Sequence, residues 1–131
     1  TPIVFGSDQL GLAEITNTVR DLATRARNGA LQPHEYQGRT FSVSNLGMFG
    51  IAEFSAVINP PQAAILAVGG GIPQIVPTPF DESKTVQDPP MIRTIMTARL
   101  SADRRVVDEA TAALFLQAFT HYMEKPELLL L

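Results

Sequence analysis

The sequence runs to 131 residues, a single-domain length, and is 45% hydrophobic before its 9 Gly are counted, so a packed core is expected rather than disorder. Charged residues make up only 18%, below the roughly 25% of an average soluble domain, which points to neutral surface reserved for assembly. A net charge of −3 without a dense basic run excludes an electrostatic nucleic-acid binder, and the absence of Cys excludes disulfides, thiolate metal sites and a cysteine nucleophile.

The opening Thr1-Pro2-Ile3-Val4-Phe5 carries neither an initiator Met nor a signal pattern and reads as the start of a trimmed piece. From Leu12 to Arg27 the apolar residues Leu12, Ile15, Val19, Leu22, Ala23 and Ala26 recur at helical spacing, and Asn28-Gly29 stops the helix. A loop containing Pro33 and Gly38 follows, then a strand over Thr40–Ser44 that ends at Asn45-Leu46-Gly47. Two short apolar runs, Ser55–Ile58 and Ala63–Val68, flank Asn59-Pro60-Pro61; the second has the continuous apolar character of a strand buried on both faces.

Gly69-Gly70-Gly71 reads as a turn, because no Lys-Ser/Thr and no helix follow it as a phosphate-binding loop requires. Ile72–Val76 is a further strand, and residues 77 to 90 form an exposed, expendable loop. Ile92–Leu100 alternates with period two as a half-buried strand, and a helix from about Asp108 to Glu124 places Phe115, Ala118, Phe119 and Tyr122 on one face before Pro126 stops it. Two long helices and about five strands describe one α/β domain over residues 1–131, with helices packed on a mixed sheet.

Three segments carry a family resemblance: Thr40–Gly50, Ile58–Gly69, and Asp103-Arg104-Arg105-Val106-Val107-Asp108. In this order they resemble the catalytic domain of dihydrolipoamide acyltransferases, the core components of 2-oxo acid dehydrogenase complexes. Leu31–Gly38 and Asn45–Gly50 look like the acetyltransferase version from the pyruvate dehydrogenase complex. The resemblance implies a chloramphenicol acetyltransferase-like fold, shortened at its N-terminus relative to the longer family domain.

Family members move an acyl group between a dihydrolipoyl thiol and coenzyme A. Their motif reads Asp-His-Arg-Val-Val-Asp-Gly: the His is the base, the second Asp holds the geometry, and a serine hydroxyl steadies the oxyanion. This sequence has Arg104 at the base position and Glu109 in place of the Gly. A guanidinium is always protonated and offers only donors, so Arg104 cannot be a general base. Ser44 and Asp108 match the serine and aspartate by position and read, with Arg104, as relics. Asp108 has a second reading as a helix-capping acid able to pair with Arg104 or Arg105, and Ser44 as a hydroxyl bonded at a strand end. His34 and His121 read as surface histidines without a role.

Leu128-Leu129-Leu130-Leu131 cannot all face one groove within the chain, and the resemblance implies that they dock on a neighbouring trimer; the alternative is that they fold back on their own domain. The function implied is that of a non-catalytic structural component of the pyruvate dehydrogenase complex. Its domain would trimerise and attach to the dihydrolipoamide acetyltransferase core, so that dihydrolipoamide dehydrogenase is recruited through a segment outside this sequence. No cofactor is expected in the domain itself; a lipoyl group belongs to an upstream domain, and the implied compartment is the mitochondrial matrix. The alternative is an active acetyltransferase whose base comes from elsewhere.

Overall fold

The computed structural model describes residues 1–130, gathered into two compact units. One comprises residues 1–41 together with those from Val107 onward; the other is Ser42–Val106.

The first unit is built on two helices. Helix α1 spans Leu12–Arg27, as its periodicity predicts. The Glu14 carboxylate accepts from the backbone N–H of Gly11 at 3.0 Å, which satisfies an orphan donor at the helix start. At the other end Gly29, at φ 65°, reverses the chain so that the N–H groups of Ala30 and Gly29 reach the carbonyls of Arg25 and Ala26. Leu22 is its buried residue. Helix α2 spans Glu109–Glu124, with the Asp108 carboxylate accepting from Thr111 N at 2.7 Å.

Its less exposed face is Ala112, Leu116 and Phe119 rather than the expected Phe115, Ala118 and Tyr122. Apolar residues lie nearly all round this helix, so spacing alone did not select the inward face. Phe115 still touches the Phe41 ring, with centroids 5.7 Å apart.

A short 3₁₀ turn at Pro33–Glu35 completes this unit. Arg25 on α1 holds Asp21 at 2.8 Å and Glu35 at 2.6 Å, while the Glu35 carbonyl accepts from Ile3 N at 2.9 Å. Glu35 thereby ties the N-terminal segment, α1 and the turn together, and its carboxyl sits below its ordinary pKa because the Arg25 guanidinium and Gln32 N–H both favour the anion.

The second unit is a three-stranded mixed sheet in the order β1-β2-β3: β1 (Ser42–Asn45), β2 (Ala64–Val76) and β3 (Met91–Ala102). Strand β1 runs parallel to β2, and β3 antiparallel to it. Ala64–Ala67 of the central strand are the buried core, which explains their unbroken apolar run.

Among the described residues three strands replace the expected five. Ser55–Ile58 forms none, and Ile72–Val76 is the far half of β2, because Gly69–Gly71 make no turn. They lie at a bulge between Val68 and Gly71, over which residues 47–53 cross the sheet. The Gly70 N–H donates to the Ile51 carbonyl at 2.8 Å, and a Cβ on Gly69 would stand 1.8 Å from the Ala52 carbonyl oxygen. The glycines are needed for this backbone contact.

Beyond the bulge the β2–β3 ribbon is bare: Ile92 is 75% exposed, so the expected half-buried alternation of β3 fails there. The loop from 77 to 90 is exposed, as expected, yet ordered by its own hydrogen bonds. Among the described residues no helix is long and apolar enough to cross a membrane, and no group of three or more His, Asp or Glu could hold a metal.

Candidate functional site

Strand β1 lies beside the buried centre of β2, with Ser44 opposite Ala67. Ser42 and Ser44 share its half-buried face. Strand-end bonding falls to Asn45 instead of Ser44: its side-chain oxygen accepts from Gly47 N at 2.9 Å. Ser42 donates to Gln62 Oε1 at 2.7 Å.

Arg104 follows β3, in a tight turn where Val106 N donates to the Asp103 carbonyl at 2.9 Å. Asp103, which the sequence did not single out, is the organising acid. Its carboxylate accepts from Arg105 N at 3.0 Å and from Arg105 Nε and Nη2 at 3.0 and 2.6 Å. These bonds hold it well below the usual carboxylate range, at about 2. Arg105 is therefore engaged by Asp103 rather than by Asp108.

Asp108 belongs to the first unit as the cap of α2, and its carboxyl is lowered by the Thr111 hydrogen bonds. Ser44 and Arg104 belong to the sheet unit, which contains no histidine. His34 lies in the 33–35 turn, on a cavity of about 570 Å³ also lined by Arg25 and Glu35; His121 occupies the last turn of α2 with its ring 5.8 Å from that of Tyr122.

Beside the 103–106 turn is a cavity of about 430 Å³ lined by Ile58, Pro60, Pro61, Gln62, Asp103 and Arg105. Gln62 is 6% exposed, and its Nε2 has no hydrogen-bond partner among the described residues. Neither Gln62 nor Asp103 carries a signature that sequence alone could read, since both depend on strand register. The arrangement supplies donors and an anion held by arginine, and Arg104 supplies no proton acceptor. Of the leucine tail, Leu128 is half-buried within a 3₁₀ turn at Pro126–Leu130, Leu129 and Leu130 are exposed, and Leu131 lies outside the described residues.

Comparison with known proteins matches residues 1–131 to the family described as 2-oxoacid dehydrogenases acyltransferase (catalytic domain). The mitochondrial dihydrolipoyllysine-residue acetyltransferase component of the pyruvate dehydrogenase complex of Caenorhabditis elegans is 47% identical over 132 residues, covering 100% of this chain and 25% of that protein. The mitochondrial pyruvate dehydrogenase protein X component of Mus musculus is 46% identical over 128 residues, covering 96% of this chain and 25% of that one.

A crystal structure of Azotobacter vinelandii dihydrolipoamide acetyltransferase, concerned with a serine, a histidine and an asparagine in its mechanism, superposes with a TM-score of 0.84 at 30% identity. It covers 99% of this chain and 50% of that one, so the chain spans half of that solved chain and a quarter of the two relatives. A three-stranded mixed sheet with two helices, matched along its whole length, places the chain in the 2-oxoacid dehydrogenase acyltransferase catalytic-domain family.

Proposed function

We propose that this chain is a non-catalytic core component of a pyruvate dehydrogenase complex, a counterpart of the protein X component. The observation that carries the reading is Arg104. In the Azotobacter enzyme the named histidine and asparagine stand four residues apart, the spacing of Arg104 and Asp108 here. On this reading Arg104 stands where that enzyme has its histidine, a permanent cation in place of a base, and the loss of a positioned base typically costs ~10²- to 10⁴-fold in rate. Asp108 is meanwhile committed to capping α2.

On this reading the chain trimerises, attaches to the dihydrolipoamide acetyltransferase core in the mitochondrial matrix, and helps recruit dihydrolipoamide dehydrogenase through other segments of its protein. The exposed Leu129 and Leu130 support an assembly role. The test is acetyl transfer between acetyl-coenzyme A and dihydrolipoamide: background turnover is expected, and turnover near that of a family acetyltransferase overturns the reading.

A second reading, an active acetyltransferase using a base from a partner subunit, is favoured by the acetyltransferase name of the Caenorhabditis elegans relative. It requires the wild-type chain to be active and Arg104→His to leave that activity unchanged.

A further inference from the structure

The cavity of about 570 Å³ in the first unit is walled by helix α1, the N-terminal segment and the 33–35 turn, and its size is that of a small-molecule site, roughly 300–1,000 Å³. Ile3, Phe5 and Leu10 of the segment, with Leu22 of the helix, make one wall apolar. Phe5 is 57% exposed, which leaves part of that wall open to a ligand. Facing it, Asn17, Thr18, Asp21 and Arg25 recur on one side of α1. All of these residues belong to the first unit, and none to the sheet that carries Arg104.

The polar groups of this cavity divide into committed and uncommitted ones. Arg25 sends Nη1 and Nη2 to Glu35 at 2.7 and 2.6 Å, and Nε to Asp21 Oδ2 at 2.8 Å. With all three guanidinium nitrogens bound to carboxylates, Arg25 is taken as a partner for an anion. Glu35 is equally engaged, because its carboxylate also accepts from Gln32 N at 2.8 Å. Asp21 Oδ1, by contrast, makes no hydrogen bond among the described residues, and neither do the side chains of Asn17 and Thr18. Thr16 and Thr24 on the same helix turn their hydroxyls onto the carbonyls of Leu12 and Arg20, so the open hydroxyl of Thr18 is particular to the cavity face. The two carboxylates of the lining also outnumber its one guanidinium.

We propose that this cavity binds a small molecule carrying a primary ammonium on a compact apolar body. An ammonium offers three N–H donors and no acceptor; Asn17 Oδ1, Thr18 Oγ1 and Asp21 Oδ1 are three open acceptors on adjacent turns of one helix face. The apolar body lies on Phe5, Leu10 and Leu22. A carboxylate or phosphate is rejected by the same groups, since it would meet Asp21 and find Arg25 occupied.

Calorimetric titration of the 131-residue chain with phenethylamine, phenethyl alcohol and phenylacetate tests this, because the probes share a phenyl body and differ in charge. Phenethylamine is expected to saturate the chain at least about tenfold more tightly than the alcohol, and phenylacetate not to bind. Asp21→Asn is expected to weaken the amine about tenfold and Thr18→Val about threefold, while Val19→Ala, beside the cavity face but outside the lining, leaves it unchanged. In proton–nitrogen correlation spectra the amine should shift the amides of Phe5, Leu10 and residues 17 to 22. Circular dichroism checks that α1 persists in each variant; if Asp21→Asn unfolds the chain, the ranking of the three probes and the shift map on the wild type decide. An amine bound no more tightly than the alcohol, saturation by phenylacetate, an affinity indifferent to Asp21→Asn in a folded chain, or shifts confined to other residues each overturns the site. Acetyl transfer and oligomeric state enter none of these readouts, so this site and the proposed function fail separately.

Discussion

Asp103 and Arg105 clasp one another across Arg104: the Arg105 guanidinium donates to the Asp103 carboxylate through Nε at 3.0 Å and Nη2 at 2.6 Å. The turn that carries Arg104 is thus held by an ion pair. The folded carboxyl, at about 2, lies below its ordinary 3.8. Its contribution to stability is complete above about pH 4 and is lost as pH falls toward 2. Urea unfolding between pH 2 and 5 should show a steeper acid decline for the wild type than for Asp103→Asn. The difference should shrink in high salt, because Arg105 is mostly solvent-exposed. Identical acid profiles would refute the assignment.

Asp108 is predicted to act through its cap. Asp108→Asn retains an acceptor for Thr111 N and should melt near the wild type, whereas Asp108→Ala should melt about 3–5 °C lower. Differential scanning calorimetry separates the two variants. Equal losses would place the value of Asp108 in its charge.

The crossing of residues 47–53 over β2 predicts a graded glycine series. Gly69→Ala drives a methyl into backbone at 1.8 Å and should cost ~3 kcal/mol or more in a chemical denaturation curve. Gly71→Ala meets only the Thr94 Cγ2, at 2.8 Å, so Thr94→Ser in the same chain should relieve most of its smaller cost. If Gly69→Ala is as stable as the wild type, residues 47–53 do not cross where described.

Ser42 and Gln62 predict a double-mutant cycle with opposite signs. Ser42→Ala strands both ends of a buried carboxamide, at a cost of ~1–3 kcal/mol. Adding Gln62→Met removes the stranded group and should recover part of that loss. Additive losses would show that the pair does not interact.

Local chemistry was legible in the sequence where it acts through neighbours in the chain. The Asn28-Gly29 stop, the bounds of α1 and the unbroken apolar run of the central strand all rest on local rules, and the structure bears them out. What misled was contact between distant segments. Gly69–Gly71 has the composition of a turn, yet its use is to admit Ile51 and Ala52 from another part of the chain. Facing on α2 was obscured because nearly every side of it is apolar. At the candidate site Arg104 drew notice through the resemblance to the family motif, whereas Asp103 and Gln62 emerge only when β1, β2 and the end of β3 are set in register.

The bulge in β2 also constrains which insertions and deletions the chain can tolerate. Between Val68 and Gly71 the strand advances three residues while β3, from Ala98 to Met96, advances two. The odd residue reverses the parity of everything from Ile72 to Val76 relative to the Ala64–Ala67 core. Loss of one of the three glycines would make the ladder regular with Ile72 to Val76 still opposite Ile95 to Met91, but would remove the extra residue at the point where Ile51 and Ala52 approach the strand. Loss of one residue from the 77–90 loop would leave both strands in phase. A single-codon deletion is therefore felt differently at the two places: at the bulge it disturbs a backbone contact with a distant segment, and in the 77–90 loop it only shortens a tip.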